Sequence, residues 1–489
     1  MKIAFGILLF FLFPFILFAQ KISLYHTGTQ FDTFENPVQQ GFIKDNSRKY
    51  AITLFPHIGG FINFNGDGET AFKKLLYSRT FGNNNIPNIG QGNTNTINGD
   101  LNLYLFNYKI FKTTNYNREL GFSLQFKNEG SGNITNETLA VFDSFDNFNS
   151  STYTNPFNSN GTNQSYWQLG VTYRENYDER WAFGAKASLL SGLTYNKINV
   201  NSSSLTVNQD TSYTVGLAGN YISNFGFNEL KYNQLIPNIK NLGAAISLST
   251  SYTTKSDFYF TANLKDLGFI RWGKESGNYN FDSNITVKDS ASVNSASTYF
   301  ELLKDDVNNT EVQKYFYSSI NTKVEFAASK EFGFYKPVFV VSKSIFNPQG
   351  QIGLLNNLKK NAFVFSFNAI YDLQTKMNFG SQMMIKSANA EFYVGSEQIF
   401  PSYYLSKSFI TQNENIGRGN PRADIYIGIN VKFGPKMQNI GTADEIPGLN
   451  HKETGYVVRL SKKELKRLQK KNQEIEKNRS KNDKRNFRR

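Results

Sequence analysis

Cysteine does not occur in this sequence, so the chain carries no disulfide framework, no thiolate metal site and no cysteine nucleophile. Any exported chain of this kind is held together by its core or by lipid alone. Histidine is nearly missing too: His26, His57 and His451 stand far apart, without metal-ligand spacing. There is no G-x-S-x-G elbow, no P-loop and no H-E-x-x-H, which removes the sequence anchors of common hydrolase and nucleotide chemistry. No catalytic residue, metal or cofactor is therefore expected, and the chain reads as a non-enzyme. A barrel phospholipase would need a Ser and a His near the lipid boundary; His57, in LFPHIGGF, is the one candidate and reads better as a structural histidine.

Only one long hydrophobic run exists. It follows Lys2 as IAFGILLFFLFPFILF and closes on Ala19, which predicts a secretory signal peptide over residues 1–19. Pro14 and the small Ala19 favour cleavage over an uncleaved anchor. After residue 20 no stretch of about 18 apolar residues recurs, so a membrane could be crossed again only by a closed barrel, whose backbone amides all find partners within the protein.

Net positive charge is also scarce outside one place. The formal net charge is +14, yet residues 452–489 alone hold 15 Lys or Arg against 5 acidic residues, which leaves the body nearly neutral. An exported chain meets no nucleic acid, so none is expected as a partner. In the periplasm the tail would meet anionic envelope components, either phospholipid headgroups or peptidoglycan carboxylates, or an acidic protein.

What is abundant is aromatic. Phe (45) and Tyr (27) dominate an aromatic content of 15%, while the mean hydropathy is only -0.45. Neither a disordered chain nor a helical membrane protein has that balance. From residue 49 to 433 these residues alternate with small or polar ones, the mark of a strand with two different faces. Leu120, Phe122, Leu124 and Phe126 alternate with Gly121, Ser123, Gln125 and Lys127. Trp167 to Tyr173, Trp181 to Leu189, Leu242 to Leu248, Phe258 to Leu264, Phe363 to Phe367 and Ile425 to Phe433 follow the same rule.

The pattern predicts about 14 strands of roughly 9–11 residues, the length that crosses hydrocarbon at a tilt. Soluble sandwich strands also alternate but run about 5 or 6 residues. Stretches 82–98 and 128–163, rich in Asn, Gly, Ser and Thr, read as long loops on the outer rim. No fixed-period repeat or linker divides the span.

Residues 22–48 hold the run ENPVQQGFIKDNSR, and DLGFIRW and FYVGSEQIFP follow at 266–272 and 392–401. With these three stretches the chain resembles an uncharacterised family of outer-membrane barrels common in Bacteroidetes. That family is reminiscent of the long-chain fatty-acid transporters, whose N-terminal segment plugs the lumen and carries an Asn-Pro-Ala stretch. The matching residues here are Asn36, Pro37 and Val38, so the third position departs from the transporter pattern. The resemblance implies a plug over residues 20–48; read from the residues alone, Asn36 and Pro37 are equally a turn before the first strand.

Residues 70–79 (TAFKKLLYSR) have Phe72, Leu75 and Leu76 at helical spacing and predict a short helix, at the rim or as a packed loop helix. Phe433 closes the last strand and resembles the terminal aromatic by which barrel-assembly machinery recognises its clients. In the tail, Ser461 and Glu464 form a capping box ahead of Leu465, Leu468 and Ile475, against the alternative of a solvated tail.

The expectation is thus an all-β protein: a signal peptide (1–19), an N-terminal plug-like segment (20–48), one transmembrane antiparallel barrel (49–433) and a basic, partly helical periplasmic tail (434–489). It would sit in outer-membrane lipid as a passive channel for a hydrophobic or amphipathic small molecule. The alternative is a non-enzymatic anchor or scaffold in a secretion, motility or envelope complex. Lys186, Arg174, Lys265 and Arg271 would face the lumen, either attracting anionic cargo or forming an ordinary wet lining.

Overall fold

The computed structural model describes residues 22–42, 48–78, 88–113, 117–143, 147–208, 212–226, 236–287, 295–417 and 421–436, with Lys466 and Lys470. The leader, Ser461 and Glu464 lie outside the described residues.

Alternation of this kind forces each strand to bury one face and show the other. Among the described residues fourteen strands close on one another to do so. In chain order they are β1 (Arg48–Asn65), β2 (Thr94–Thr113), β3 (Asn117–Thr135), β4 (Asn160–Asn176), β5 (Trp181–Val207), β6 (Leu242–Thr253), β7 (Phe258–Trp272), β8 (Lys323–Lys330), β9 (Tyr335–Ser344), β10 (Gly350–Lys360), β11 (Phe363–Asp372), β12 (Lys376–Lys386), β13 (Ala390–Ser396) and β14 (Arg422–Lys436). Each is antiparallel to the next, and β1 pairs with both β2 and β14, from Tyr50 against Phe433 to Asn63 against Arg422. No wall edge is left open, which is what a sheet in hydrocarbon requires.

The two faces are distributed the opposite way from a soluble protein. On β4, Leu169, Val171 and Tyr173 are exposed while Gln168, Thr172 and Arg174 are buried. Phe363, Phe365 and Phe367 on β11 and Ile425 on β14 are likewise exposed. So wide an apolar exterior around a polar interior is stable only if lipid surrounds it. Tyr173, Tyr177 and Trp181 stand exposed at one end of the belt and Tyr317 and Tyr371 at the other, where interfacial aromatics belong. Among the described residues no helix is long and apolar enough to cross a membrane.

At the end where β1 begins and β14 finishes, consecutive wall strands are joined among the described residues by five turns of two to four residues. The opposite end carries the long connections and the extra strands. β5 is 27 residues long, and its lower part pairs with β6 while its upper part, Asn196–Val207, pairs with Tyr213–Ser223, to which Gly277–Val287 is added. Strands β1 to β7 and β14 are therefore longer than the 9–11 residues expected, while β9 to β12 run 10 or 11 residues and β8 and β13 are shorter. The polar stretch 128–163 is a loop only in part, since β3 continues through it to Thr135 and β4 starts at Asn160. Above the membrane a strand needs no apolar face, so Asn, Gly and Ser pair there without the alternation that marks a lipid-facing strand.

The helix expected at 70–79 spans Glu69–Ser78. It packs at the rim, with Phe72 stacked on Phe64 of β1 at 4.6 Å. Arg271 is a correction: it is exposed, beside the Tyr315 ring, and does not face the lumen. Asp266, at φ 52, inserts a bulge into β7 so that Lys265 and Asp266 both turn inward, and strict alternation beyond that point reverses.

Candidate functional site

A segment that enters a barrel without joining its sheet must satisfy its backbone amides some other way. Residues 22–42 do this in the lumen. They form a short turn at Ile22–Leu24, a six-residue helix at Gln30–Glu35 capped by Thr29, and an irregular stretch from Asn36 to Phe42. Gly28 takes a positive φ of 59° between the two. Charged side chains of the wall supply the missing partners. Lys336 donates to the His26 carbonyl at 2.7 Å, Lys386 to the carbonyls of Thr27 and Gly28 at 2.7 Å, Arg174 to Val38 at 2.6 Å and Lys432 to Gly41 at 2.7 Å. Wall carboxylates take the N–H groups: Glu397 from Ser23 at 2.9 Å, Glu391 from Gln30 at 2.8 Å and Glu119 from Gly41 at 3.1 Å.

The hub is Glu35, the last residue of the plug helix. Its carboxylate pairs with Lys265 and accepts from the Tyr104 hydroxyl, from Asn102 at 3.1 Å and from Gln125 at 3.3 Å. Around it the wall completes its own pairs: Lys127 with Asp266 at 2.5 Å, Lys109 with Glu119 at 2.8 Å and Lys432 with Glu391 at 2.8 Å. Isolated charges here would be costly to bury, so pairing of this density is what makes a charged interior tolerable. Apolar contacts add to it, with Phe31 and Phe34 against Tyr104, and Phe31 3.9 Å from the His57 ring.

The residues singled out in the sequence are placed as follows. Asn36 is buried in the lumen and its backbone N–H closes the plug helix onto Asp32 at 2.8 Å. Pro37 lies against β5 at Gly184, where a side-chain carbon would fall 2.4 Å from the Pro37 carbonyl carbon. Only a glycine lets the two backbones meet there. His57 faces the lumen and shares a 2.6 Å hydrogen bond with the Tyr393 hydroxyl. Lys186, Arg174 and Lys265 face inward as expected, but Arg174 and Lys265 hold the plug. Phe433 is exposed on β14, 5.5 Å from the Tyr50 ring. Glu35, Tyr104 and Asp266 were missed as a cluster. A signal existed in the charged and aromatic residues in mid-strand on the small, polar face, such as Lys127 and Lys186.

Three titratable groups belong to the plug itself. Burial pushes the Asp32 carboxyl up to about 7, although the Gly28 N–H and the Lys386 and Lys336 ammonium groups pull it down. Burial, with Lys336 adding to it, holds the His26 imidazole well below its usual range, bonded to Ser329 at 2.8 Å and Thr261 at 2.9 Å. Burial also pushes on Glu35, but Lys265, Lys127 and Lys186 outweigh it and keep that carboxyl well below its usual range.

The signs follow by linkage. Undocked Asp32 ionises near 3.8 and docked Asp32 near 7, so its contribution to docking is lost as pH rises from about 4 to about 7. Undocked His26 takes a proton below 6.5 while docked His26 stays neutral, so its effect strengthens docking as pH rises to that value. The two oppose each other below about 6.5. His26→Gln is expected to unmask the Asp32 slope, with conductance bursts in planar bilayers becoming more frequent from pH 4 to 7. Asp32→Asn should give the opposite slope, and flat profiles in both variants would contradict the assignment.

Residues 42–397 match the model of a family described as "Family of unknown function (DUF5723)". The chain belongs to that family. Among curated proteins none matches the DUF5723 chain by sequence. Among solved structures it is similar to the toluene transporter TbuX of Ralstonia pickettii, at a TM-score of 0.39 and 10% identity over 82% of this chain and 93% of that one. It is also similar to a deletion mutant of the monoaromatic hydrocarbon channel TodX (TM-score 0.43, 7% identity, 83% of this chain and 95% of that one). A third is the translocator domain of the autotransporter NalP from Neisseria meningitidis (TM-score 0.27, 6% identity, 80% and 91%). Likeness at this level says nothing of cargo.

Proposed function

We propose that this DUF5723 protein is an outer-membrane channel for a small amphipathic solute, closed in the described state by its own residues 22–42. One observation carries the reading: the plug is held by side chains and belongs to no strand, so it can leave without breaking any ladder bond of the wall. The outer membrane is favoured by the export leader that the sequence predicts, the apolar belt and the short connections at the end that holds both chain termini of the barrel. The lumen favours an amphipathic over a purely hydrophobic cargo, because Lys186, Gln125, Asn263 and their neighbours make its wall polar. Purified full-length protein in liposomes is expected to admit such solutes, and a null mutant to take them up more slowly. Normal uptake of every hydrophobic and amphipathic solute by the mutant, together with a barrel that conducts nothing, would sink the channel reading.

The sheet that stands above the membrane on β5 favours a second reading, a barrel that anchors a surface for a protein of the envelope. Loss of function on removing residues 436–489, with the barrel still assembled, would favour that anchor acting through its basic tail toward an anionic envelope component.

A further inference from the structure

A strand that crosses hydrocarbon at a tilt needs about 9–11 residues. β13, Ala390–Ser396, has 7. Its register shows where it stops: Ser396 stands opposite Ser381 of β12, and Gly395 opposite Tyr426 of β14. Phe379 and Met377 of β12 lie beyond that point with their side chains exposed on the outer face, and exposed Ile425 of β14 is level with it. The wall therefore gives up a strand while its neighbours are still in the apolar belt.

A helix, Ile399–Thr411, takes over there. Backbone in hydrocarbon has to satisfy its amides within the protein, and a helix does so by itself. This one packs against β14 and β12. Its buried Leu405 joins the cluster of Ile62 and Phe64 of β1, which stand an odd number of residues from lumenal His57 and so point outward. Ser402 accepts from the Asp424 N–H of β14 at 2.9 Å and donates to the Asp424 carbonyl at 3.1 Å. The face turned away from the wall is bare: Ile399, Phe400, Tyr403, Tyr404 and Ile410 are exposed, the last by 78%.

Composition and place decide what covers that face. The helix Ser295–Asn308, packed on the sheet above the membrane, carries Glu301, Lys304, Asp305 and Asp306 in its 14 residues. Ile399–Thr411 carries Lys407 alone. Lys407 is exposed on the bare face with its ammonium 5.9 Å from the Tyr403 ring, the posture of a lysine that lays its stem along apolar surface and turns its head to an interface. The Thr411 hydroxyl bends back onto the Lys407 carbonyl at 2.7 Å. Polar chain resumes only after the helix ends, at Gln412, Asn413, Glu414 and Asn415. The bare face is thus continuous with the belt of β12 and β14 and matches it in chemistry.

We infer that the helix Ile399–Thr411 is seated in the membrane, with Phe400, Tyr403 and Ile410 among the acyl chains of the surrounding lipid and Lys407 at a lipid phosphate. The seat adjoins the plug. Glu397, two residues before the helix, accepts from the Ser23 N–H at 2.9 Å and from its hydroxyl at 3.0 Å, so a helix held by lipid also fixes the wall carboxylate that meets the leading end of the plug. The inference rests on the barrel being embedded in lipid, as the channel reading also requires, but not on conduction.

Native cysteine is absent, so a nitroxide can be attached at one introduced cysteine at a time. The test labels Tyr403→Cys and Ile410→Cys in the full-length barrel, held in vesicles of phosphatidylcholine and phosphatidylglycerol. Phe365→Cys on the belt and Asp306→Cys on the helix Ser295–Asn308 serve as references. Spin relaxation is read against oxygen, which concentrates in hydrocarbon, and against a water-soluble nickel chelate. The oxygen-to-nickel ratio at 403 and 410 is expected to match that at 365 and to exceed that at 306 several-fold. Heat-modifiable migration checks the assembly of each variant, and Phe400→Cys replaces one that misassembles. A ratio like that at 306 would put the helix in water, and shielding from both relaxants would put it under protein; either result overturns the seat while 365 still reads lipid. A water-like ratio at 365 as well would overturn the embedding itself, and the channel reading with it.

Discussion

Deleting residues 22–42 from the chain is expected to raise the conductance of the purified barrel in planar bilayers at least tenfold. The wall does not depend on that segment for its hydrogen bonds, since every ladder from β1 round to β14 closes without it. What the deletion removes is the mass in the lumen, together with the partners of Lys336, Lys386, Arg174 and Lys432. Those four cations would then face water in an open pore, where they cost little. Heat-modifiable migration on a gel checks that the shortened chain still assembles. An assembled barrel whose conductance stays at the wild-type level would mean that something else closes the lumen.

The second large effect is expected from one side chain. Glu35→Lys places a cation against Lys265, within the field of Lys127 and Lys186, and removes the acceptor of Tyr104, Asn102 and Gln125. Breaking a buried ion pair by changing one partner costs about 3–5 kcal/mol. Applied to the docked plug, that moves the docked-to-undocked ratio by roughly two to three and a half orders of magnitude, at 1.4 kcal/mol per decade. Glu35→Gln keeps an acceptor for Tyr104 and introduces no like charge, but it too leaves Lys265 without its partner, so its effect should be smaller than that of Glu35→Lys while still loosening the plug relative to the wild type. Protease sensitivity of residues 22–42 in the assembled barrel reads the difference. Equal protection in wild type and Glu35→Lys would show that the ion pair does not hold the plug.

The wall was legible in the sequence for a simple reason. A strand with lipid on one side and a polar interior on the other cannot relax its alternation, so Leu120 to Phe126 and Trp167 to Tyr173 announce both their conformation and their outward face. The number of wall strands followed from that. Strand ends did not, because the rule lapses where the wall leaves the membrane: Asn128 to Thr135 pairs with β2, and Asn128 to Asn133 with β4, as regularly as the apolar part does. Arg271 failed for a local reason, the extra residue at Asp266 that reverses the count.

The site was legible only as a segment. Asn36 and Pro37, read as a plug-like motif or equally as a turn, lie within that segment, and Gly184 marks where its backbone touches the wall. Glu35 itself carries no sequence signal, because its partners Tyr104 and Lys265 lie on β2 and β7, the nearer of them 69 residues along the chain. Contacts of that range have no spacing to read. Charged residues on the polar face of β2, β3 and β5 could be taken for an ordinary wet lining, and the structure shows that several of their neighbours serve to hold a backbone.

Because the chain has no cysteine, a pair introduced by mutation has no competitor. Ser23 sits at the end of the plug that is not continuous with β1, and its hydroxyl meets the Asn368 amide of β11 at 2.8 Å. Current through single barrels carrying both Ser23→Cys and Asn368→Cys, recorded first oxidised and then after a reductant is added, is the most direct test. A movable lumen segment that closes a lipid-embedded barrel requires silence while the tether is intact and bursts of conduction once it is reduced; the same trace before and after reduction would contradict it.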